Sequence, residues 1–205
     1  ALQRRILRMW IEQAKGDLRG LDFVHIDAML RLITDGPPQG SLSIPGGWEL
    51  VREYDVLKLA KTFRGSARVC YNYPLEIGKV LVVPEARLEL WSRRVSGISR
   101  LLEDDLMGAV FDAASVTELS VRNFRPGDRF QPLGMAGHKK VKDLFIEKRV
   151  PRSMRACWPI VTSGGEVLWI PRYGRSSVGL VSEKTTSVLH LKARSIPAWP
   201  GALKC

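Results

Sequence analysis

Residues 121–134 read VRNFRPGDRFQPLG, and the lysine-rich stretch HKKVK follows at 138–142. Three arginines surround a Pro-Gly-Asp turn, and residues 118–122, directly before them, have the pattern of a β-strand. Phe124 and Phe130 lie among the arginines, where we expect them to pack in a core and not to stack on bases. The sequence therefore predicts that the second half of the chain begins with a strand that leads into a basic turn.

The rest of this half alternates short helices with strands. Val141, Leu144 and Phe145 recur at helical spacing, and Pro151 is suited to begin a helical turn that extends to residue 156. The segments WPIVT and EVLWIP flank a glycine pair as a β-hairpin, and SVLHLKA predicts a closing strand.

The first half begins with a pair of helices. Apolar residues recur at helical spacing over residues 2–15, namely Ile6, Leu7, Trp10, Ile11 and Ala14. Asp22 is suited to cap a second helix that ends near Gly36. The stretch SLSIPGGWELVREYDVLKL then alternates with turn signals at Gly46-Gly47 and Tyr54-Asp55, which indicates a short meander of strands. The stretches KVLVVP and ARLELW continue as strands.

These patterns predict an α+β protein, with an N-terminal helical pair and a small β-meander before a C-terminal mixed α/β domain of antiparallel-type strands and short helices. The pattern weakens over residues 95–108, where Glu103, Asp104 and Asp105 are typical of a solvated linker. We therefore predict a central domain at 1–108 and a C-terminal domain at 109–205.

The charge balance points to a polyanionic partner. The chain has 205 residues with 32 Lys and Arg against 21 Asp and Glu, a net charge of +11. Residues 121–155 alone hold ten basic and three acidic residues, so this window carries +7 of that total. Nucleic acid is the leading candidate for a partner, and a basic surface that is only solvated is the alternative.

Catalytic and metal signatures are missing from the sequence. Ser163-Gly164-Gly165-Glu166 could cradle a phosphate before a helix, but a strand pattern follows, so we interpret it as a hairpin turn. We interpret His25 as a structural histidine. His138, next to Lys139 and Lys140, is suited either to add to a cationic patch or to form a hydrogen bond with a phosphate. Three scattered cysteines, with no apolar run long enough to span a membrane and no signal peptide, suggest a reducing cytoplasmic setting.

The basic window supplies the candidate phosphate contacts. Arg125 and Arg129 flank a turn fixed by proline and glycine, which limits the entropy lost on binding. Asp128 is suited to hold one arginine internally, and the sequence leaves open which one. The nine candidates for contact with the phosphates of a nucleic acid are Arg122, Arg125, Arg129, Lys139, Lys140, Lys142, Arg149, Arg152 and Arg155. We predict no catalytic residue and no metal ligand in this chain.

RNFRPGDRFQPLGM, KKVKDLFIEKRVPR and IVTSGGEVLWIP together resemble the C-terminal domain of the bacterial tRNA(Ile)-lysidine synthetases. The resemblance covers residues 119–191. Residues 18–33 and 42–59 are similar, more loosely, to the central substrate-binding region of the same family. The resemblance implies a tRNA-binding portion of an enzyme that adenylylates the wobble cytidine of an isoleucine tRNA and attaches lysine to it.

The same resemblance implies the partners of the parent enzyme. These are tRNA(Ile) with a CAU anticodon, lysine, and ATP with Mg, the small molecules being held by an N-terminal PP-loop domain with an S-G-G-x-D-S loop. Residues 163–166 lack the D-S of that loop, so we expect this chain to be a fragment without cofactor or ligase activity of its own. Dimerisation is left open. The rival functions are a standalone RNA- or DNA-binding module and a protein-interaction domain.

Overall fold

The computed structural model describes residues 2–62, 70–97 and 106–197, and it divides the chain into two compact units. Unit 1 comprises residues 1–67 and unit 2 comprises residues 68–205. The boundary predicted between residues 108 and 109 therefore falls inside unit 2. The predicted linker at 103–105 lies outside the described residues.

Unit 1 consists of two helices followed by a three-stranded antiparallel meander, as predicted. Its elements are α1 (Leu2–Lys15), α2 (Phe23–Thr34), β1 (Gln39–Ile44), β2 (Trp48–Glu53) and β3 (Val56–Lys61). The turns fall where the sequence indicates them, and Gly46, Gly47 and Tyr54 adopt the left-handed backbone conformation there. The core of the unit is formed by Leu7, Ile11, Ile26, Met29, Ile44 and Leu50.

The start of α2 is a reciprocal cap. Asp22 accepts a hydrogen bond of 3.0 Å from the backbone N–H of His25, and the Asp22 N–H donates in turn to Nδ1 of His25 at 3.4 Å. Both helix-terminal N–H groups are thereby satisfied. The structural interpretation of His25 is confirmed.

Unit 2 is built mainly from two antiparallel sheets. The larger has the strand order β13-β12-β11-β8-β4, the smaller has the order β5-β6-β14-β7, and β9 with β10 forms a separate two-stranded ribbon. The strands are β4 (Asn72–Pro74), β5 (Val80–Val83), β6 (Leu88–Ser96), β7 (Gly108–Asp112), β8 (Leu119–Asn123), β9 (Arg129–Phe130), β10 (Lys139–Lys140), β11 (Pro159–Ser163), β12 (Glu166–Ile170), β13 (Gly174–Arg175) and β14 (Ser187–Ser195). The helical segments are a 3-10 turn (Ala113–Ser115), α3 (Val141–Glu147) and α4 (Arg152–Arg155).

Strand pairing explains why the units divide near residue 67. β4 pairs with β8, and all nine residues of β6 pair with β14, so residues 72–96 complete sheets whose other strands come from the second half. β7 also pairs with β14, although its residues carry too weak a pattern to be predicted as a strand. A boundary at residue 108 would cut both sheets.

The core of unit 2 confirms the α+β class and most of the local predictions. Val141, Leu144 and Phe145 are buried on one side of α3, and Phe130 is buried in the same cluster. Phe124 is half-buried and meets the edge of Phe145 at 5.4 Å between ring centroids. α4 is shorter than predicted, because Pro151 has an extended ψ of 140° and lies at the cap, outside the helix.

Candidate nucleic-acid interface

Residues 125–128 form a tight turn after β8. The Asp128 N–H donates to the carbonyl of Arg125 at 3.1 Å, and Oδ2 of Asp128 accepts from the Arg125 N–H at 2.7 Å. Gly127 has a φ of 98°, a conformation that favours glycine. Two hydrogen bonds therefore close the turn, one between backbone groups and one from the Arg125 backbone to the Asp128 side chain.

Asp128 also binds the guanidinium of Arg122 in a two-pronged ion pair. Nη1 of Arg122 donates to Oδ2 at 2.9 Å and Nη2 donates to Oδ1 at 2.8 Å, and both side chains are only 10% exposed. A paired geometry of this kind is specific to arginine. Arg122 is thus the arginine that Asp128 holds, and its guanidinium is committed to the interior of unit 2.

Asn123, the next residue of the motif, is also structural. Its side-chain oxygen accepts from the Tyr71 N–H at 3.1 Å, and its amide nitrogen donates to the carbonyls of Phe124 and Ala156 at 3.0 Å and 3.3 Å. Arg122 and Asn123 therefore fix the base of the turn to its neighbours.

Arg125 and Arg129 lie on the exposed side of this fixed turn. Within the described residues, neither guanidinium has an ion pair with a carboxylate. Arg129 lies opposite Lys140 in the β9–β10 ribbon, and opposite residues of an antiparallel pair share a face. Two like charges side by side destabilise a ribbon unless an anion lies between them, so this face is suited to bind one.

The other candidates from the lysine stretch differ in their surroundings. Lys140 and Lys142 are exposed, whereas Lys139 is half-buried and binds Glu147. The hydrogen bond from Lys139 holds the pKa of the Glu147 carboxyl below its usual range. Lys139 is therefore already partnered, and Lys140 and Lys142 are the lysines available to a ligand.

A second basic group surrounds α4. Arg149 and Arg152 are exposed, and Arg155 is half-buried with its Nε donating to the carbonyl of Val150 at 2.9 Å. Lys148, which the candidate set omits, is also exposed at the end of α3. Lys148 lies within the basic stretch of residues 121–155, and this position is the sequence signal by which it could have been predicted as a candidate.

The S-G-G-E stretch is the turn of the β11–β12 hairpin, as predicted. Oγ of Ser163 accepts from the Thr117 N–H at 3.0 Å, so its hydroxyl is engaged by a neighbouring loop. Gly164 and Gly165 both have a positive φ, and a strand follows them instead of a helix. The stretch therefore lacks the geometry of a nucleotide-phosphate loop.

A polar cleft of about 360 Å³ lies between this hairpin and the basic turn. Sequence patterns gave no sign of it, because its walls come from several separate segments between residues 122 and 178. Its lining comprises Arg122, Gly127, Asp128, Arg129, Phe130, Gln131, His138, Gly165, Glu166, Val167, Ser176 and Val178.

The described residues offer no metal centre and no membrane span. No group of three or more His, Cys, Asp or Glu side chains in residues 2–62, 70–97 and 106–197 could hold a metal ion. In the same part of the chain, no helix is long and apolar enough to cross a membrane.

Two protein-family models match the chain. "TilS substrate binding domain" matches residues 1–57, and "TilS substrate C-terminal domain" matches residues 119–193. A solved structure, "Crystal structure of TILS C-terminal domain", is 30% identical with a TM-score of 0.58, and it aligns over 63% of this chain and 100% of its own. The chain belongs to the tRNA(Ile)-lysidine synthase family.

Full-length relatives are much longer than this member of the family. The tRNA(Ile)-lysidine synthase of Solibacter usitatus is 31% identical over 196 residues, which is 93% of this chain and 44% of that protein. The tRNA(Ile)-lysidine synthase of Geobacter sulfurreducens is 33% identical over 207 residues, which is 95% of this chain and 42% of that protein. The chain thus spans less than half the length of these lysidine synthases.

Proposed function

We propose that this chain is the tRNA-holding portion of a ligase that uses ATP to attach lysine to the wobble cytidine of tRNA(Ile). The substrate is the isoleucine tRNA with a CAU anticodon, and the enzyme works in the cytoplasm, where that tRNA is found. Family membership supports the substrate class. The net charge of +11 supports a polyanionic partner.

The proposal rests on one observation, a rigid basic turn in which one arginine stabilises the turn and two others are exposed. The Arg122–Asp128 ion pair fixes the turn from inside, and Arg125 and Arg129 remain on the outside without a carboxylate partner among the described residues. Cations on a fixed backbone lose little entropy when they bind phosphate. Double-stranded RNA is recognised largely through its backbone, which suits such a surface.

The proposed contact set follows from exposure. Arg122 is excluded because its guanidinium is buried against Asp128. Lys139 and Arg155 are secondary, since the first binds Glu147 and the second donates to a backbone carbonyl. The primary phosphate contacts that we propose are Arg125, Arg129, Lys140 and Lys142. Arg149 and Arg152 are exposed but have interactions of their own, so we propose them as secondary contacts.

The described residues do not fit ATP and Mg. The S-G-G-E turn is engaged by Thr117 and precedes a strand, and the described residues hold no cluster of metal ligands. We therefore place binding of ATP, Mg and lysine in other parts of the longer ligase, and we expect this chain alone to have no ligase activity.

A salt titration of tRNA binding tests the proposal. We expect the affinity of the chain for tRNA to fall steeply between about 50 and 200 mM salt, because phosphate contacts release counterions. The Arg125→Ala/Arg129→Ala variant should bind about tenfold more weakly, with a salt slope reduced by about 1.5.

The matched control is Arg93→Ala/Arg94→Ala, which removes two exposed arginines of β6 in the same unit. This control should bind tRNA nearly as well as the wild type. Binding that is absent, or that does not change with salt, would refute the tRNA-holding role and favour the protein-interaction alternative.

A further inference from the structure

The polar cleft between the hairpin and the basic turn carries charges of both signs. Arg129 and His138 line it from the β9–β10 side, and Glu166 lines it from the tip of the β11–β12 hairpin. Among the described residues, the structure gives none of these three side chains an ion pair. The charges of Arg129 and Glu166 and the imidazole of His138 are therefore open to a ligand, whereas the charges of Arg122 and Asp128, deeper in the wall, neutralise each other.

The size and walls of the cleft suit a small, partly flat ligand. Its volume of about 360 Å³ is near the lower end of the range of about 300–1,000 Å³ that small-molecule pockets occupy. Val178, which is half-buried, supplies apolar surface, and the buried Phe130 and Val167 lie behind the wall. Gly127 and Gly165 have positive φ values, and a Cβ built on either would meet no atom within 4 Å, so a ligand can approach the backbone at both turns.

The charges restrict the ligand class. Arg129 and His138 favour an anion such as phosphate, and an ionised carboxylate at Glu166 can only accept hydrogen bonds. A ligand must therefore present a phosphate at one end and N–H or O–H donors at the other. A nucleotide does so through its base amino group and ribose hydroxyls, and its base can lie against apolar walls.

We propose that this cleft binds one unpaired ribonucleotide of the RNA, with its phosphate at Arg129 and His138 and a donor of its base or ribose at Glu166. The inference rests on the proposed tRNA-holding function and gives it a specific subsite. It also gives a role to the S-G-G-E hairpin, whose tip would otherwise be only a turn.

Mononucleotide titration of the isotopically labelled chain tests the subsite. The probes are the four ribonucleoside 5′-monophosphates, with inorganic phosphate as the reference, and the readout is the amide NMR shifts of Gly127, Gly165 and Ser176. We expect at least one mononucleotide to shift all three amides and to bind more tightly than phosphate. Glu166→Gln should weaken binding of that mononucleotide about tenfold without weakening the binding of inorganic phosphate, because it removes the acceptor charge and no phosphate contact.

Glu183→Gln, in an exposed loop of the same unit, is the matched control and should bind as the wild type does. Equal affinity for phosphate and mononucleotides would overturn the subsite, and so would unchanged mononucleotide binding by Glu166→Gln. Neither result depends on tRNA, so neither would affect the conclusion drawn from the salt titration of tRNA binding. A wild type that binds mononucleotides at the cleft and fails to bind tRNA would instead overturn the proposed function alone.

Discussion

Three arginines of the same motif, within eight residues, have different roles in unit 2. Arg122 is 8% exposed and paired with Asp128, whereas Arg125 and Arg129 are exposed. Asp128→Asn should destabilise unit 2 by about 3–5 kcal/mol, because it leaves the Arg122 charge buried without its partner. The Arg125→Ala/Arg129→Ala variant should stay within about 0.5 kcal/mol of the wild type. Chemical denaturation measures both free energies of unfolding.

Asp143→Asn is the control for Asp128→Asn, since it removes an exposed carboxylate from the same basic window. It should leave the free energy of unfolding nearly unchanged. Replacing both partners, as in Arg122→Met/Asp128→Asn, should recover part of the loss, because no unpaired charge then remains buried while asparagine can still accept from the Arg125 N–H. A double variant less stable than Asp128→Asn would show that the ion pair is not the source of the effect.

At the scale of elements, the helices of unit 1 depend on carboxylates with lowered pKa values. The backbone N–H of His25 lowers the pKa of Asp22, and the Arg4 side chain, 2.7 Å from Asp27, lowers the pKa of Asp27. A carboxylate with a depressed folded pKa stabilises the fold above its unfolded pKa of 3.8, and this stability is lost as the pH falls through the folded value. We therefore expect unit 1 to be less stable in acid than at neutral pH, which thermal unfolding of the chain followed by circular dichroism would measure.

Asp22→Ala tests the same cap at neutral pH. It should lower the midpoint of thermal unfolding, because the first turn of α2 loses its acceptor. It should also reduce the loss of stability between pH 5 and pH 2, since one of the three carboxylates of unit 1 with a lowered pKa, Asp17, Asp22 and Asp27, is gone. Asp35→Ala, beyond the end of α2, is the control and should retain the wild-type pH dependence. An unchanged acid profile in Asp22→Ala would contradict the role of the cap.

At the scale of the molecule, local elements could be predicted from the sequence and their partners could not. The spacing of Val141, Leu144 and Phe145 identifies α3, because helical periodicity is a local signal. The β6–β14 pairing joins residues about a hundred positions apart, and no local pattern reports it. The polar cleft escaped prediction for the same reason. Residue type identified the basic stretch of residues 121–155 but not the role of each arginine, since only the burial of β8 separates Arg122 from Arg125.

The division of the chain can be tested by truncation. Residues 68–205 should fold alone, with cooperative unfolding and dispersed amide resonances, because both sheets of unit 2 are complete. Residues 109–205 should not fold, since they lack β4 to β6 and with them the buried side chains of Leu75, Val83, Leu88 and Leu90. The loss would expose β14 along all nine of its β6-paired residues, and an exposed apolar strand edge promotes aggregation. A soluble, cooperatively folded 109–205 would show that the sheets do not need residues 72–96, and would restore the boundary at residue 108.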